Sequence, residues 1–321
     1  MRLLKRLGLA LFAVFFALSA HAQSGAPARE TPSVVGVYLP SVSFEDSLSR
    51  ARFAEGLAAS LQASTGSPFR GRAFAAAAEF QAQVATGGLH FAVADAAFVL
   101  QGASFRPLAQ AHLGGNPSRP MVLVVDNAEL GRTIGDLAGR SLLTFDMGAR
   151  EDPFIKNFVF QGQIGVDYFK RQKSVRDVQA ALAHVRLGKA QATLAFEGGG
   201  GGLRVAFKSR PAPLPIFALC TDTVDAGLLS RVKTAVVSLS APSPAFEGFG
   251  PYNVNASANS ALRSALASGV GGGGTDLVFA APNSTLPTVN SQAEATVAPT
   301  ALGLPTAAEL LTLPAPPPDV F

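Results

Sequence analysis

From residue 33 to about residue 252, short apolar runs alternate with longer amphipathic stretches, the pattern of strands and helices taken in turn. Val34–Leu39 (VVGVYL) reads as a buried first strand ended by Pro40. Ser43, followed by Glu45 and Asp46, reads as the N-cap of a long helix. Leu48, Ala51, Phe53, Leu57 and Leu61 supply its apolar stripe, and Thr65-Gly66-Ser67-Pro68 ends it. Phe69–Phe74 predicts a second strand, and Ala75–Val84 a short helix closed by Gly87-Gly88. His90–Leu100 (HFAVADAAFVL) is one apolar run interrupted only by Asp95, and Phe105–His112 predicts a further strand.

Gly114–Pro120 (GGNPSRP) has the composition of a crossing segment, after which Met121–Asp126 (MVLVVD) is a very apolar strand. Leu130–Leu137 predicts a short helix ending at Gly139. In Ser141–Phe158, an apolar run (Leu142–Phe145) passes into the turn Asp146-Met147-Gly148-Ala149-Arg150. Glu151, Asp152 and Pro153 then mark a helix start. Ser174–Arg186 is amphipathic, with Val175, Val178, Leu182 and Val185 on one face and Gly188 beyond its end. Ala190–Phe196 reads as a buried strand running into Glu197 and the glycines 198–202. Arg210–Pro215 crosses back, Ile216–Leu219 is a strand, Asp225–Ser238 a helix, and Phe246–Tyr252 the last predicted element.

This order predicts an α/β protein of two lobes, residues 33–114 plus 215–252 and residues 120–210. Each lobe is expected to be a mostly parallel sheet flanked by helices, with two crossing segments between them. A small-molecule ligand is expected in the cleft, where such sites concentrate. Residues 253–321, poor in charge and rich in Ala, Ser, Thr, Gly and Pro, predict a low-complexity flexible tail.

Composition adds location and removes some functions. Arg2, Lys5 and Arg6 precede the apolar run Leu7–Ala20 and the small-x-small sequence Ala20-His21-Ala22, which predicts a Sec-type signal peptide over residues 1–22 and a periplasmic protein. The run is shorter than the roughly 20 residues of a bilayer span, so no membrane-spanning segment is expected after cleavage. Without the three basic residues of the signal, 23 Lys and Arg face 22 Asp and Glu, a balance that carries no footprint for nucleic acid. Cys220 is the single cysteine, so no intrachain disulfide can form, and it reads as a small buried residue.

Candidate chemistry is sparse. The strand–turn–helix at Asp146, Gly148 and Arg150 has the geometry that exposes helix N–H groups to a ligand, and Arg150 could pair with an anion. Asp95 reads either as a cleft carboxylate or as an acid satisfied by backbone donors. Tyr38 and Ser41, after the first strand, could face the cleft, although Tyr38 suits the core equally. Glu197 is either a cleft ligand or a solvated loop acid. The glycine run lacks the Lys-Ser/Thr of a P-loop and reads as a flexible loop. His21, His90, His112 and His184 show no metal spacing, and no nucleophile elbow or Cys/His pairing appears. Neither a cofactor nor enzymatic activity is expected.

In order and spacing, four stretches resemble the periplasmic substrate-binding proteins of ABC importers for phosphate, phosphite and phosphonate (the PhnD-like family). They are VVGVYLP (34–40), HFAVADAAFVL (90–100), TIGDLAGR (133–140) with SLLTF, and Ser174–Phe196 around Leu187-Gly188-Lys189-Ala190. The resemblance covers roughly residues 33–252 and implies the type II periplasmic-binding fold. It also implies capture of a small, phosphate- or phosphonate-like ligand and an ABC permease or a sensor as partner; a monomer is expected. Three positions depart from the family pattern. The Ser/Thr-Ser-Gly turn reads Asp146-Met147-Gly148, the Ser-His before the next helix reads Ser174-Val175, and the Asp of the "GkaDaa" unit is Gln191. Ser174 thus keeps only the hydroxyl of its pair. The alternative function is a sensory or interaction module on the same scaffold that no longer serves transport.

Overall fold

The computed structural model describes residues 31–102, 104–126, 134–149, 151–164, 166–171, 174–243 and 246–268. The expected signal peptide, Arg150 and the chain beyond 268 lie outside the described residues. The chain begins with β1 (Ser33–Tyr38), whose residues are nearly all buried. It continues through α1 (Ser47–Thr65), β2 (Phe69–Ala73) and α2 (Ala77–Ala85). The N-cap of α1 is Asp46 rather than Ser43: its carboxylate accepts from Ser49 N while Asp46 N donates back to Ser49 Oγ. Phe44 is needed in the core against Phe53, and that holds the preceding residues off the helix axis.

The apolar run at 90–100 divides at its one acid. β3 (Phe91–Ala94) ends there, and a single turn, α3 (Ala96–Val99), follows Asp95. After β4 (Arg106–His112) the chain crosses into β5 (Ser118–Val125), a 3-10 turn at Ile134–Leu137 and β6 (Ser141–Leu143). A helical turn, Glu151–Pro153, runs into a π-helical stretch, Phe154–Val159. Next come β7 (Lys170–Arg171), α4 (Val178–Arg186, capped by Asp177) and β8 (Ala192–Phe196). Return is by β9 (Arg204–Pro213), a ten-residue strand the sequence pattern did not announce because its outer half is only partly buried.

Back in the first lobe lie β10 (Ile216–Leu219), α5 (Ala226–Val236), β11 (Ser240–Ser243) and β12 (Phe246–Pro251). A helix in the expected tail, α6 (Ser257–Ala267), then packs against β9 and the π-helical stretch. Its Leu262, Ala265 and Leu266 are buried, so the ordered chain extends past Tyr252.

Two sheets result, one of seven strands in the order β11-β12-β4-β10-β3-β1-β2 and one of five in the order β7-β6-β8-β5-β9. They are mixed, not mostly parallel. β1 pairs in parallel with β2 and β3, and β6 with β7 and β8, while every other pairing is antiparallel. The cause is the crossing itself: a chain that leaves one sheet and returns without a helix inserts its strand in the opposite sense, as β10 does between β3 and β4. The two crossings run side by side, Ser118 opposite Pro213 and Pro120 opposite Pro211, with Leu214 N donating to Pro117 O.

Phenylalanine fills the first lobe. Tyr38, Phe74, Phe80, Phe91, Phe217, Phe246 and Phe249 are each almost fully buried. They meet in edge and stacked pairs such as Phe74–Phe80 and Tyr38–Phe80. Each such pair contributes about 0.5–1.5 kcal/mol beyond area burial. Gly71 lets β2 lie directly on α1, because a Cβ there would sit 2.1 Å from Ala54 O.

Candidate functional site

Asp95 sits where β3 stops and α3 starts, and the chain after β1 turns back beside it. Ser41 N donates to Asp95 Oδ2 at 3.0 Å and Ser41 Oγ to Oδ1 at 2.6 Å. Asp95 is 8% and Ser41 7% exposed. Burial pushes the Asp95 carboxyl up to about 6, against the pull of the Ser41 donors and the Arg50 charge. Among the described residues no cationic side chain pairs with this carboxylate.

Asp95 and Ser41 form one wall of a pocket between the lobes. Pro40, Ala96, Ala97 and Phe98 complete the first-lobe side. Met121, Phe145, Met147, Phe154 and Phe196 face them from the second lobe, and Ala212 and Pro213 close the pocket at the crossing. Leu262 of α6 adds to the lining. The remaining cavity is about 20 Å³, room for little more than one water.

The turn Asp146-Met147-Gly148 closes against the first lobe. Tyr38 Oη donates to Asp146 O at 2.7 Å, and Gln101 Nε2 to Met147 O at 3.3 Å. One Asp146 oxygen accepts from Ala77 N, the first residue of α2, at 3.3 Å, and the other from Gly148 N at 3.1 Å. An acid of the second lobe thus occupies the donor end of a first-lobe helix, where an anion would otherwise be favoured. Gly148 has φ +79°, and a Cβ would lie 2.9 Å from the Phe98 ring, so the close approach requires glycine.

A second set of contacts joins α1 to α4. Arg50 Nη2 bonds Asp177 Oδ2 at 2.8 Å with both side chains 7% exposed, and Val178 N donates to Pro40 O at 2.8 Å. Asp177 Oδ1 also caps α4 through Ala180 N. Burial raises the Asp177 carboxyl, but the Ala180 and Arg50 interactions outweigh it and hold the group below its usual range. Tyr38 is raised, chiefly by burial and then by Asp146 and Asp95, so it stays a neutral donor.

Of the residues picked from sequence, Asp95 and Ser41 meet on the pocket wall. Tyr38, Asp146 and Gly148 meet at the lobe contact beside it, with the Tyr38 ring in the core. Ser174 is partly exposed outside the pocket lining, next to the Phe145–Val175 bridge. Glu197 is also outside it, in a surface ion pair with Lys208 at 2.6 Å. Arg150 lies outside the described residues. Arg50, Asp177 and Leu262 were not picked. A signal for Arg50 existed: it recurs with Ala54, Leu57 and Leu61 on one buried stripe, a costly place for a cation without a partner. Among the described residues no group of three or more His, Cys, Asp and Glu could hold a metal, and no helix is long and apolar enough to cross a membrane.

No family model matches the chain, and no curated protein matches its sequence. Solved structures do match its shape. A binding-protein component of an ABC phosphonate transporter from Pseudomonas aeruginosa aligns at TM-score 0.57 and 13% identity, over 74% of this chain and 96% of that one. A Xanthomonas citri protein bound to ATP aligns at 0.54 and 13% identity, over 73% and 96%. A phosphonate-binding protein of Prochlorococcus marinus in complex with methylphosphonate aligns at 0.53 and 13% identity, over 70% and 94%. With two mixed sheets, paired crossings and a pocket between the lobes, the chain has the two-lobed type II periplasmic-binding fold.

Proposed function

We propose that this chain is an exported solute-binding protein of the periplasm, which captures a small molecule between its lobes and delivers it to an ABC importer. The observation that carries this reading is the pocket built jointly by both lobes, with the buried Asp95–Ser41 pair on one wall and the two crossing strands at its back. Such a site is made by closure, so a ligand that contacts both walls stabilises the closed form. Among the fold's relatives, the named component of a phosphonate transporter supports the transport role, and the N-terminal signal pattern supports export.

The test is a thermal-unfolding screen of the purified protein against phosphate, phosphite, methylphosphonate, alkanesulfonates, amino acids and amines. A captured ligand at tenfold excess over Kd should raise Tm by roughly 3–6 °C. A flat response to the whole panel overturns ligand capture. The alternative, a sensory or interaction module, draws on one observation: the pocket is nearly filled by the chain's own side chains, and the lobes bond directly to each other outside its lining.

A further inference from the structure

We propose that the inter-lobe pocket selects a small apolar molecule carrying a protonated amine, with Asp95 as the counter-charge and Ser41 fixing the carboxylate's orientation. This rests on the ligand-capture reading and adds the ligand's chemistry.

Three observations lead to it. First, the pocket's polar wall is a carboxylate. Among the described residues, the Asp95 carboxylate receives hydrogen bonds only from Ser41, whose N–H and O–H take one oxygen each, leaving further lone pairs on both oxygens for a donor from the pocket side. Arg50, the cation nearest enough to act on it, is committed to Asp177 at 2.8 Å. A buried carboxylate with no ion-pair partner is costly to keep charged, and an ammonium group supplies what is missing. Second, the opposite walls suit an apolar body with a cationic head. Phe145, Phe154 and Phe196 line them with Met121 and Met147, and aromatic faces attract cations while thioethers adapt to irregular shapes. Third, the place an oxyanion would take is spoken for. Asp146 already accepts from the first N–H of α2 and from Gly148 N, and its charge would repel a phosphonate there.

Size is the remaining constraint. A cavity of about 20 Å³ admits no such molecule without movement, and Leu262 is the side chain contributed by a separate helix, α6, rather than by either sheet. Leu262→Ala enlarges the space from that side and leaves the Asp95 wall untouched.

Thermal unfolding of wild type, Asp95→Asn and Leu262→Ala at pH 7.5, with isobutylamine or benzylamine as probes, tests the proposal. Isobutanol, benzyl alcohol, phosphate and methylphosphonate serve as controls. Both amines are expected to raise Tm by several degrees in wild type or in Leu262→Ala, the alcohols and anions not to do so, and Asp95→Asn to abolish the effect. Should Asp95→Asn fail to fold, wild type at pH 5 replaces it: with Asp95 largely protonated, beside Ser41, Tyr38 and Arg50, the amine shift should fall well below its pH 7.5 value. A shift from phosphate or methylphosphonate without one from amines overturns the amine assignment and leaves ligand capture standing. Equal shifts from amine and alcohol, retained in Asp95→Asn, overturn the role of Asp95 alone. No shift from any probe in either wild type or Leu262→Ala overturns the assignment and the capture reading together.

Discussion

Asp95 concentrates the chemistry of this chain in one side chain, and its protonation has a thermodynamic sign that can be checked without any ligand. Its folded carboxyl titrates at about 6 against an ordinary 3.8, because burial outweighs Ser41 and Arg50. Between those values the folded state holds a proton the unfolded chain releases, so Asp95's contribution to stability is fullest below pH 3.8 and is lost as pH rises through about 6. Asp95→Asn lacks this slope. Measured by urea denaturation, the stability of the variant relative to wild type should rise by roughly 2 kcal/mol between pH 4 and pH 7. A difference that does not change with pH would place Asp95 in a wetter setting than the one seen here. The sequence showed Asp95 as the sole acid of an apolar run, and that much was legible. Both of its alternatives, cleft carboxylate and backbone-satisfied acid, stay open: the Ser41 N–H bonds the carboxylate and Asp95 lines the pocket. Arg50 and Asp177 were not legible as a pair, because nothing local links residues 127 positions apart.

Elements were legible in proportion to how self-contained they are. β1, β3, β8 and β10 are buried on both faces and stand out as continuous apolar runs. α5 announces its own start through Asp225, which does cap it at Leu228 N. β9 and α6 were missed for opposite reasons. β9 draws its stability from pairing with β5 rather than from its own pattern. α6 is a helix of Ala and Ser whose few apolar residues matter only once packed. It is tied to both lobes: Asn259, fully buried, exchanges hydrogen bonds with Gln110 of β4, and Asn157 Nδ2 donates to Ala265 O. Removing residues 253–321 would leave Gln110 without its buried partner and strip Leu262 from the pocket, whereas removing 269–321 keeps every one of these contacts. The first truncation should lower Tm by more than about 8 °C, given hydrophobic burial of two leucines and the loss of the buried Asn259–Gln110 bonds, and the second by less than about 2 °C. Similar losses from both truncations, followed by circular dichroism melts, would deny α6 this tie.

At the scale of the whole molecule, the question is what sets the angle between the lobes. The crossings at Ser118–Pro120 and Pro211–Pro213 allow movement but do not choose a position; the choice falls to contacts across the cleft. The Tyr38–Asp146 and Gln101–Met147 bonds are neutral and replaceable by water, each worth about 0.5–1.5 kcal/mol. The Arg50–Asp177 pair differs, being 7% exposed on both sides and joining α1 of one lobe to the cap of α4 in the other. Leaving one partner of such a pair alone costs about 3–5 kcal/mol. Lobe opening relieves that cost by returning the survivor to water, so a single substitution should open the molecule before it unfolds it. Arg50→Met, which keeps the aliphatic volume beside Phe44, leaves Asp177 charged at neutral pH with only the largely exposed Arg176, at 3.1 Å, as its cationic partner. The charge persists there because Asp177 also accepts from Ala180 N. Small-angle scattering should then show a larger radius of gyration for Arg50→Met than for wild type. The double variant Arg50→Met with Asp177→Asn, in which no charge is stranded, should fall back toward the wild-type value. If Arg50→Met scatters like wild type while losing several kcal/mol in urea, the pair holds the fold together without governing the cleft, and the closing contacts must be sought around Asp146 instead.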